Sequence, residues 1–360
     1  MRGRRYGFWS ATSERYNGSP VLPTSNVPRV TEELSFDVVG IGNALVDVLA
    51  HHDDAFLDRY GMTKSKMELI DADRAELLYP ALGASLEMSG GSAANTIAGV
   101  ASFGGRAAFL GRVYDDSLGE VFAHDLQSSG VFFRSKPSTD GPRTGRCLIV
   151  VTPDAHRTMN TYLGAASFFC TQDVDTELVS GAKVTFLEGY LFDRPESKAA
   201  YWAATDVAHK AGRKVALTLS DLFCVERHRA DWVDLVRDRV DILFANEHEA
   251  MALWECDDIP SAVEKARENV EVGCITCGPE GSIVVSGDET YKVAAEPVDH
   301  LVDTTGAGDL YAAGFLYGFT QGRALPESGR LGSIAASAVL GHMGARPGLS
   351  LSQLVDVLDR

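Results

Sequence analysis

The chain has 360 residues, 45% hydrophobic and 23% charged, with a formal net charge of -17. That composition is typical of a folded globular chain, and its acidity argues against nucleic acid or an anionic membrane as the main partner. No uninterrupted apolar run approaches the roughly 20 residues that span a bilayer. The six cysteines lack a ligand-like grouping and read as reduced core residues of a cytoplasmic protein. Cys274 and Cys277, the one CxxC, fall on an apolar strand-like stretch where side chains three apart point to opposite faces, which argues against a shared zinc.

The first thirty residues carry five arginines against one acid, Glu14, with scattered Gly, Ser and Pro and no apolar period. They read as part of a disordered extension over residues 1–34, with the folded domain expected over 35–360. From Phe36 onward, strand-like and helix-like segments alternate. Phe36 to Gly42 reads as a buried first strand, Ala94 to Phe103 as a helix, Ala107 to Gly111 as a strand and Gly119 to Ser128 as a helix. The rhythm continues with a strand over Val184–Glu188, a helix over Ser197–Ala211, a strand over Lys214–Leu219, a helix over Ala230–Arg237 and a strand over Ile242–Ala245. A helix over Ser261–Asn269, strands over Val272–Thr276 and Gly281–Ser286, and helices over Asp309–Gln321 and Gly329–Gly341 complete it. The pattern predicts a mostly parallel sheet with helices on both faces, and ligands at the carboxyl ends of its strands. Two stretches break the rhythm, at about 49–85 and 134–166, and are expected to form a small β-sheet lid over those ends.

Four strand ends carry polar residues. After the first strand, Asn43 and Asp47 place an amide and a carboxylate where they suit a diol; a ligand-free capped turn is the alternative. Ser89-Gly90-Gly91-Ser92-Ala93-Ala94-Asn95 runs into a helix. Its glycines let the backbone approach a ligand and Asn95 lies one turn in; the alternative is an N-cap at Ser92. Asn246 and Glu249, three apart after an apolar strand, share one helical face. They suit either magnesium-bound water beside a triphosphate or a capping box, and the spacing does not separate the two. Last comes Asp303-Thr304-Thr305-Gly306-Ala307-Gly308-Asp309, a small-residue turn opening a helix. Free N–H groups of a helix's first turn bind anions, and Asp309 there suits either general-base chemistry on a phosphoryl acceptor or helix capping. An acidic chain that handles phosphate implies magnesium. The histidines are dispersed and read as surface or packing residues.

Taken in this order, the motifs resemble the ribokinase (PfkB) family of carbohydrate kinases. Gly90 to Gly119 resembles that family's first signature, Asp303 to Asp309 its second, and Asn246-Glu247-His248-Glu249 its NxxE motif. Within the family, Gly42 to Asp47, Phe56 to Met62, Leu217 to Ser220 and Val240 to Glu247 are similar to adenosine kinases. The resemblance implies a ribokinase-like three-layer α/β/α sandwich with a small β-sheet lid. It also implies transfer of the ATP γ-phosphoryl group to a primary hydroxyl, the 5′-hydroxyl for a nucleoside; another nucleoside or a sugar is the alternative acceptor. Asp309 would then be the base and the N–H groups of Gly306, Ala307 and Gly308 the anion hole. Asn43, Asp47, Gly90, Gly91 and Asn95 would hold the sugar, with Leu69, Tyr190 and Phe192 packing the base. Asn246 and Glu249 would order magnesium and the phosphates, and Thr276 and Gly278 would contact ATP. Asp303 and the Thr305 carbonyl resemble a potassium site, with Gly344 near its far wall and Gly348 where ribokinase has a serine ligand. The family includes both monomers and homodimers.

Overall fold

The computed structural model describes residues 35–348 and 350–355, all of them inside one compact unit, Leu34–Arg360. The extension expected over residues 1–34 lies outside the described residues. The fold begins with β1 (Phe36–Ile41), six consecutive buried residues, as a strand covered on both faces requires. It is followed by β2 (Leu45–His51), α1 (Asp54–Tyr60), β3 (Met67–Leu69), α2 (Ala72–Ala81), β4 (Leu86–Gly90), α3 (Ser92–Ser102), β5 (Ala107–Leu110), α4 (Ser117–Ser128) and β6 (Phe132–Phe133). Next come β7 (Gly145–Val151), β8 (Arg157–Tyr162), α5 (Thr176–Gly181), β9 (Ala182–Glu188), α6 (Pro195–Lys210), β10 (Lys214–Thr218) and α7 (Leu222–Arg239). The chain continues through β11 (Ile242–Asn246), α8 (Glu247–Trp254), α9 (Ile259–Asn269), β12 (Val272–Thr276), β13 (Ser282–Ser286) and β14 (Glu289–Val293). It closes with α10 (Ala307–Thr320), α11 (Leu325–Leu340) and α12 (Ser352–Val355).

Nine strands form the central sheet in the order β14-β13-β12-β11-β10-β9-β1-β5-β6. The strands from β12 to β6 pair in parallel, while β13 and β14 are antiparallel. Val38 of β1 packs with Ile97 of α3, Leu310 of α10 and Leu331 of α11. On the other face Val39 and Ile41 pack with Tyr201 of α6, Trp232 of α7 and Leu253 of α8. Each such side chain, fully buried, contributes roughly 1.5–3 kcal/mol. Helices on both faces of one sheet make the expected three-layer sandwich. Cys274 belongs to the first core and Cys277 packs against the second, on opposite faces of the sheet.

A second sheet, ordered β3-β8-β7-β2-β4, forms the small lid. Its outer face, including Val46, Val48, Leu148 and Val150, packs with Phe56, Leu57 and Leu78 of α1 and α2. Alternation along β2 and β7 then turns Asp47, Cys147 and Ile149 toward the strand ends of the large sheet. The chain enters this sheet earlier than its pattern indicated: β2 starts at Leu45, and β4 lies at Leu86–Gly90, beyond the 49–85 stretch. The cause is a turn of only Gly42–Ala44 between β1 and β2. Two other differences concern weak apolar signals. The α7 helix begins at Leu222 rather than Ala230, with a kink at His228 (φ -126°, ψ 23°). The β14 strand is a largely exposed edge. Among the described residues, no helix is long and apolar enough to cross a membrane.

Candidate active site

The carboxyl ends of β1, β9, β10, β11 and β12 open into a cavity of about 870 Å³ beneath the inner face of the lid. Crevices at strand ends are where open α/β sheets bind ligands. At its floor, Gly306 caps α10 in the left-handed region (φ 80°, ψ 0°), and a Cβ there would sit 2.6 Å from that of Ala345. Only glycine meets both conditions without strain. The Ala307 N–H donates to the Thr304 carbonyl at 3.2 Å. The N–H groups of Gly306 and Gly308 have no hydrogen-bond partner among the described residues. Of the three expected anion-hole donors, Ala307 is thus already engaged in the turn.

Asp309 is the third residue of α10 and makes no capping bond. Its Oδ1 accepts from Ser92 Oγ at 2.6 Å and its Oδ2 from Asn95 Nδ2 at 3.1 Å, both from α3. Burial pushes the Asp309 carboxyl above the usual range, and the two donors offset part of that rise. The alternative that Asp309 serves as a helix cap does not match this geometry. Nor does Ser92 cap α3: the N-cap is Gly91 (φ 99°), whose missing Cβ would lie 2.2 Å from the Asn43 carbonyl oxygen.

Asn43 is almost fully buried at the end of β1. Its backbone N–H and Nδ2 both donate to Glu188 Oε1, at 3.1 and 2.7 Å, and Glu188 Oε2 accepts from the Ala93 N–H at 2.7 Å. Glu188, at the end of β9, therefore ties the first strand to the start of α3. Burial pushes its carboxyl up to about 7, with the Ala93 and Asn43 donors pulling the other way. In the sequence, Glu188 ends a predicted strand and belongs to none of the motifs. An acid closing an apolar strand at the carboxyl edge of a parallel sheet is the signal that marks it.

Asp47 faces the cavity from β2, and its carboxylate has no hydrogen-bond partner among the described residues. Burial raises it to about 6, opposed by Arg157 and Arg346. A Cβ on Gly90, across the β2–β4 pair, would lie 2.5 Å from that carboxylate, so Gly90 makes room for it without lining the cavity. Leu69 and Tyr190 line the cavity with 53% and 37% of their surface exposed, joined by Phe223 at 60%. Apolar side chains left open inside a cleft suit a flat apolar partner. Phe192 is elsewhere, stacked on Trp232 in the core with ring centroids 3.9 Å apart.

Farther along the cavity, Asn246 and Glu249 form a complete capping box on α8. Asn246 N–H and Nδ2 donate to Glu249 at 3.0 and 2.7 Å, and the Glu249 N–H returns to Asn246 Oδ1 at 2.9 Å. Burial raises the Glu249 carboxyl to about 7. Both residues and Thr276 line the cavity, whereas Gly278 lies outside the lining on an exposed turn after β12. Asp303 also lies outside it. Its Oδ1 accepts from the Thr305 N–H (3.0 Å) and Oγ1 (2.7 Å), and its Oδ2 from the Gly344 N–H (3.1 Å) and the Arg157 guanidinium of the lid. Burial would raise the Asp303 carboxyl, but these donors hold it below its ordinary value. With four protein donors on two oxygens, one of them a guanidinium, the Asp303 site does not fit a potassium ion.

A parallel sheet opening at its strand ends, a capless carboxylate beside free helix N–H groups and a lid overhead define a group-transfer enzyme of the kinase type. Residues 68–351 match the family described as pfkB family carbohydrate kinase, and the chain belongs to that family, whose members transfer phosphate from ATP to an alcohol group. The chain is similar to the adenosine kinase of Sinorhizobium meliloti, with 50% identity, a TM-score of 0.82, and coverage of 90% of this chain and 99% of that one. A probable sugar kinase of Rhizobium etli CFN 42 gives 46% identity and a TM-score of 0.83, over 91% and 99% of the two chains. The adenosine kinase of Saccharomyces cerevisiae is 28% identical over 85% of this chain and 95% of its own length.

Proposed function

We propose that this enzyme phosphorylates the 5′-hydroxyl of adenosine with ATP. The observation that carries this reading is Asp309, a raised carboxylate held by Ser92 and Asn95 rather than spent on a cap, facing a cavity shared with Asp47 and Asn43. Likeness at 50% identity to an adenosine kinase supports adenosine as the acceptor. Asp47, with its carboxylate open to the cavity, accepts from ribose hydroxyls. Asn43, Gly91 and Asn95 line the same end, and Leu69, Tyr190 and Phe223 pack the base. Asp309 takes the proton of the 5′-hydroxyl as its oxygen bonds to the γ-phosphorus and the bond to the leaving ADP oxygen breaks. The free N–H groups of Gly306 and Gly308 face the charge that develops on the transferred phosphoryl group.

Asn246 and Glu249 fit a magnesium–triphosphate. The capping box holds the carboxylate at the cavity wall, and each of its oxygens keeps a lone pair for a metal-bound water. Magnesium there supplies neutralisation of the phosphate charge. Thr276, paired with Asn246 across β11 and β12 and lining the same cavity, would contact the nucleotide. Potassium is not part of this reading. The kinase unit begins near residue 35, and dependence on ATP together with the six free cysteines supports a cytoplasmic location.

The test is a product assay with magnesium and ATP against adenosine, inosine, guanosine, ribose and fructose. AMP and ADP are expected in equal amounts, with adenosine the preferred acceptor by kcat/KM. Preference for another nucleoside or a free sugar would overturn the choice of acceptor.

A further inference from the structure

We infer that Arg346 is a positioning residue for phosphoryl transfer, acting on Asp309 through the amide of Asn95. The inference rests on the reading of Asp309 as the base. Arg346 lies on the loop that follows α11 and is outside the cavity lining, so it does not face the substrate directly. Its side chain is 18% exposed. It donates from Nε to Asn95 Oδ1 at 3.4 Å, from one terminal nitrogen to Ser129 Oγ at 3.1 Å and from the other to Ser89 Oγ at 2.8 Å. Ser89 Oγ in turn donates to Asp125 at 2.5 Å, and Arg346 stands 3.6 Å from the same Asp125 oxygen.

The chemistry of the two neighbours fixes the Asn95 amide. A guanidinium has donors only, so the amide atom facing it must be oxygen; a carboxylate has acceptors only, so the atom facing Asp309 must be nitrogen. Arg346 and Asp309 therefore agree on one orientation, and Arg346 anchors it to the lid strand β4 and to α4 through Ser89, Ser129 and Asp125. A base held within a fraction of an ångström of its productive position gains rate through orientation, and loosening its support costs turnover rather than binding. No local sequence pattern points to this role, because Arg346 lies 251 residues from Asn95.

The test is a double-mutant cycle of R346M and N95A, with adenosine affinity followed by calorimetry. Measured at about pH 8.5, where Asp47 stays ionised even without the opposing charge of Arg346, R346M is expected to lower kcat by about tenfold while adenosine KM stays within about twofold, since the residue orients and does not bind. In the N95A background the further effect of R346M is expected to vanish, because Asn95 is the route of its action. If the two losses multiply, or if R346M raises KM with kcat unchanged, the inference is overturned. Should R346M prove too unstable to assay, R346K replaces it in the same cycle. Its single ammonium cannot span Asn95, Ser89 and Ser129 together, so a smaller kcat loss, again absent in N95A, is expected. D309N, run alongside, separates the two claims. If D309N is inactive but the cycle is additive, Arg346 fails while the base stands; if D309N turns over normally, the base reading itself fails.

Discussion

The turns that enter α8 and α10 place a carboxylate at the same helical position, the third residue, after a strand-to-helix or loop-to-helix connection into one cavity. At α8 the N-cap is Asn246, and Glu249 spends both oxygens on it in a reciprocal box. At α10 the N-cap is Gly306 in a left-handed conformation with no side chain to bond. Asp309 is thereby released from the cap, and its oxygens reach across to α3 instead. One residue at the cap decides whether the acid three positions later is tied to its own helix end or reaches across to another element, though both carboxylates line the cavity. The same choice leaves the N–H groups of Gly306 and Gly308 open at the floor of the cavity, where a capping side chain would have closed them.

Removing each carboxylate sharpens the contrast most. D309A is expected to cut kcat by about 10³-fold, within the span of general-base contributions, while leaving the melting temperature unchanged or raised because a desolvated carboxyl is gone. E249A should reverse the balance, losing ~1 kcal/mol of stability with its cap and raising the magnesium concentration needed for half-maximal activity. Steady-state kinetics and thermal melts on the two variants check this. A smaller effect, about 10²-fold in kcat, is expected for G306A, which strains the turn and displaces the open N–H donors.

The acceptor side answers to pH. Asp47 is raised to about 6, so it is ionised above that value and becomes protonated as pH falls through it. The KM for adenosine should then rise by roughly tenfold per pH unit below that point, and D47N should abolish that dependence. The smallest effect belongs to N246A, where loss of the α8 cap costs ~1 kcal/mol and a few degrees of melting temperature.

Much of this was legible in the sequence because it is local. The apolar runs of β1, β9, β10 and β11 specify a doubly covered sheet, and the Asp303–Asp309 turn carries its own glycines. What was not legible depends on contacts between distant segments. Spacing alone left Asp309 between cap and base, since the answer lies in the φ of Gly306 and in Ser92, 217 residues away. Arg157 reaches the Asp303 carboxylate from the lid across 146 residues, a contact that the motif resembling a potassium site gives no sign of. Phe192 is apolar next to cavity-lining Tyr190, yet the 3₁₀ turn Gly189–Leu191 sends it into the core against Trp232.

The central claim is that Asp309, freed from capping, removes the hydroxyl proton. It is tested most directly by giving D309N adenosine and magnesium–ATP, measuring the adenosine-induced thermal shift and AMP formation in the same sample. The account predicts a shift close to that of the parent enzyme with AMP formation about 10³-fold slower or undetectable. AMP formed within tenfold of the parent rate would contradict it.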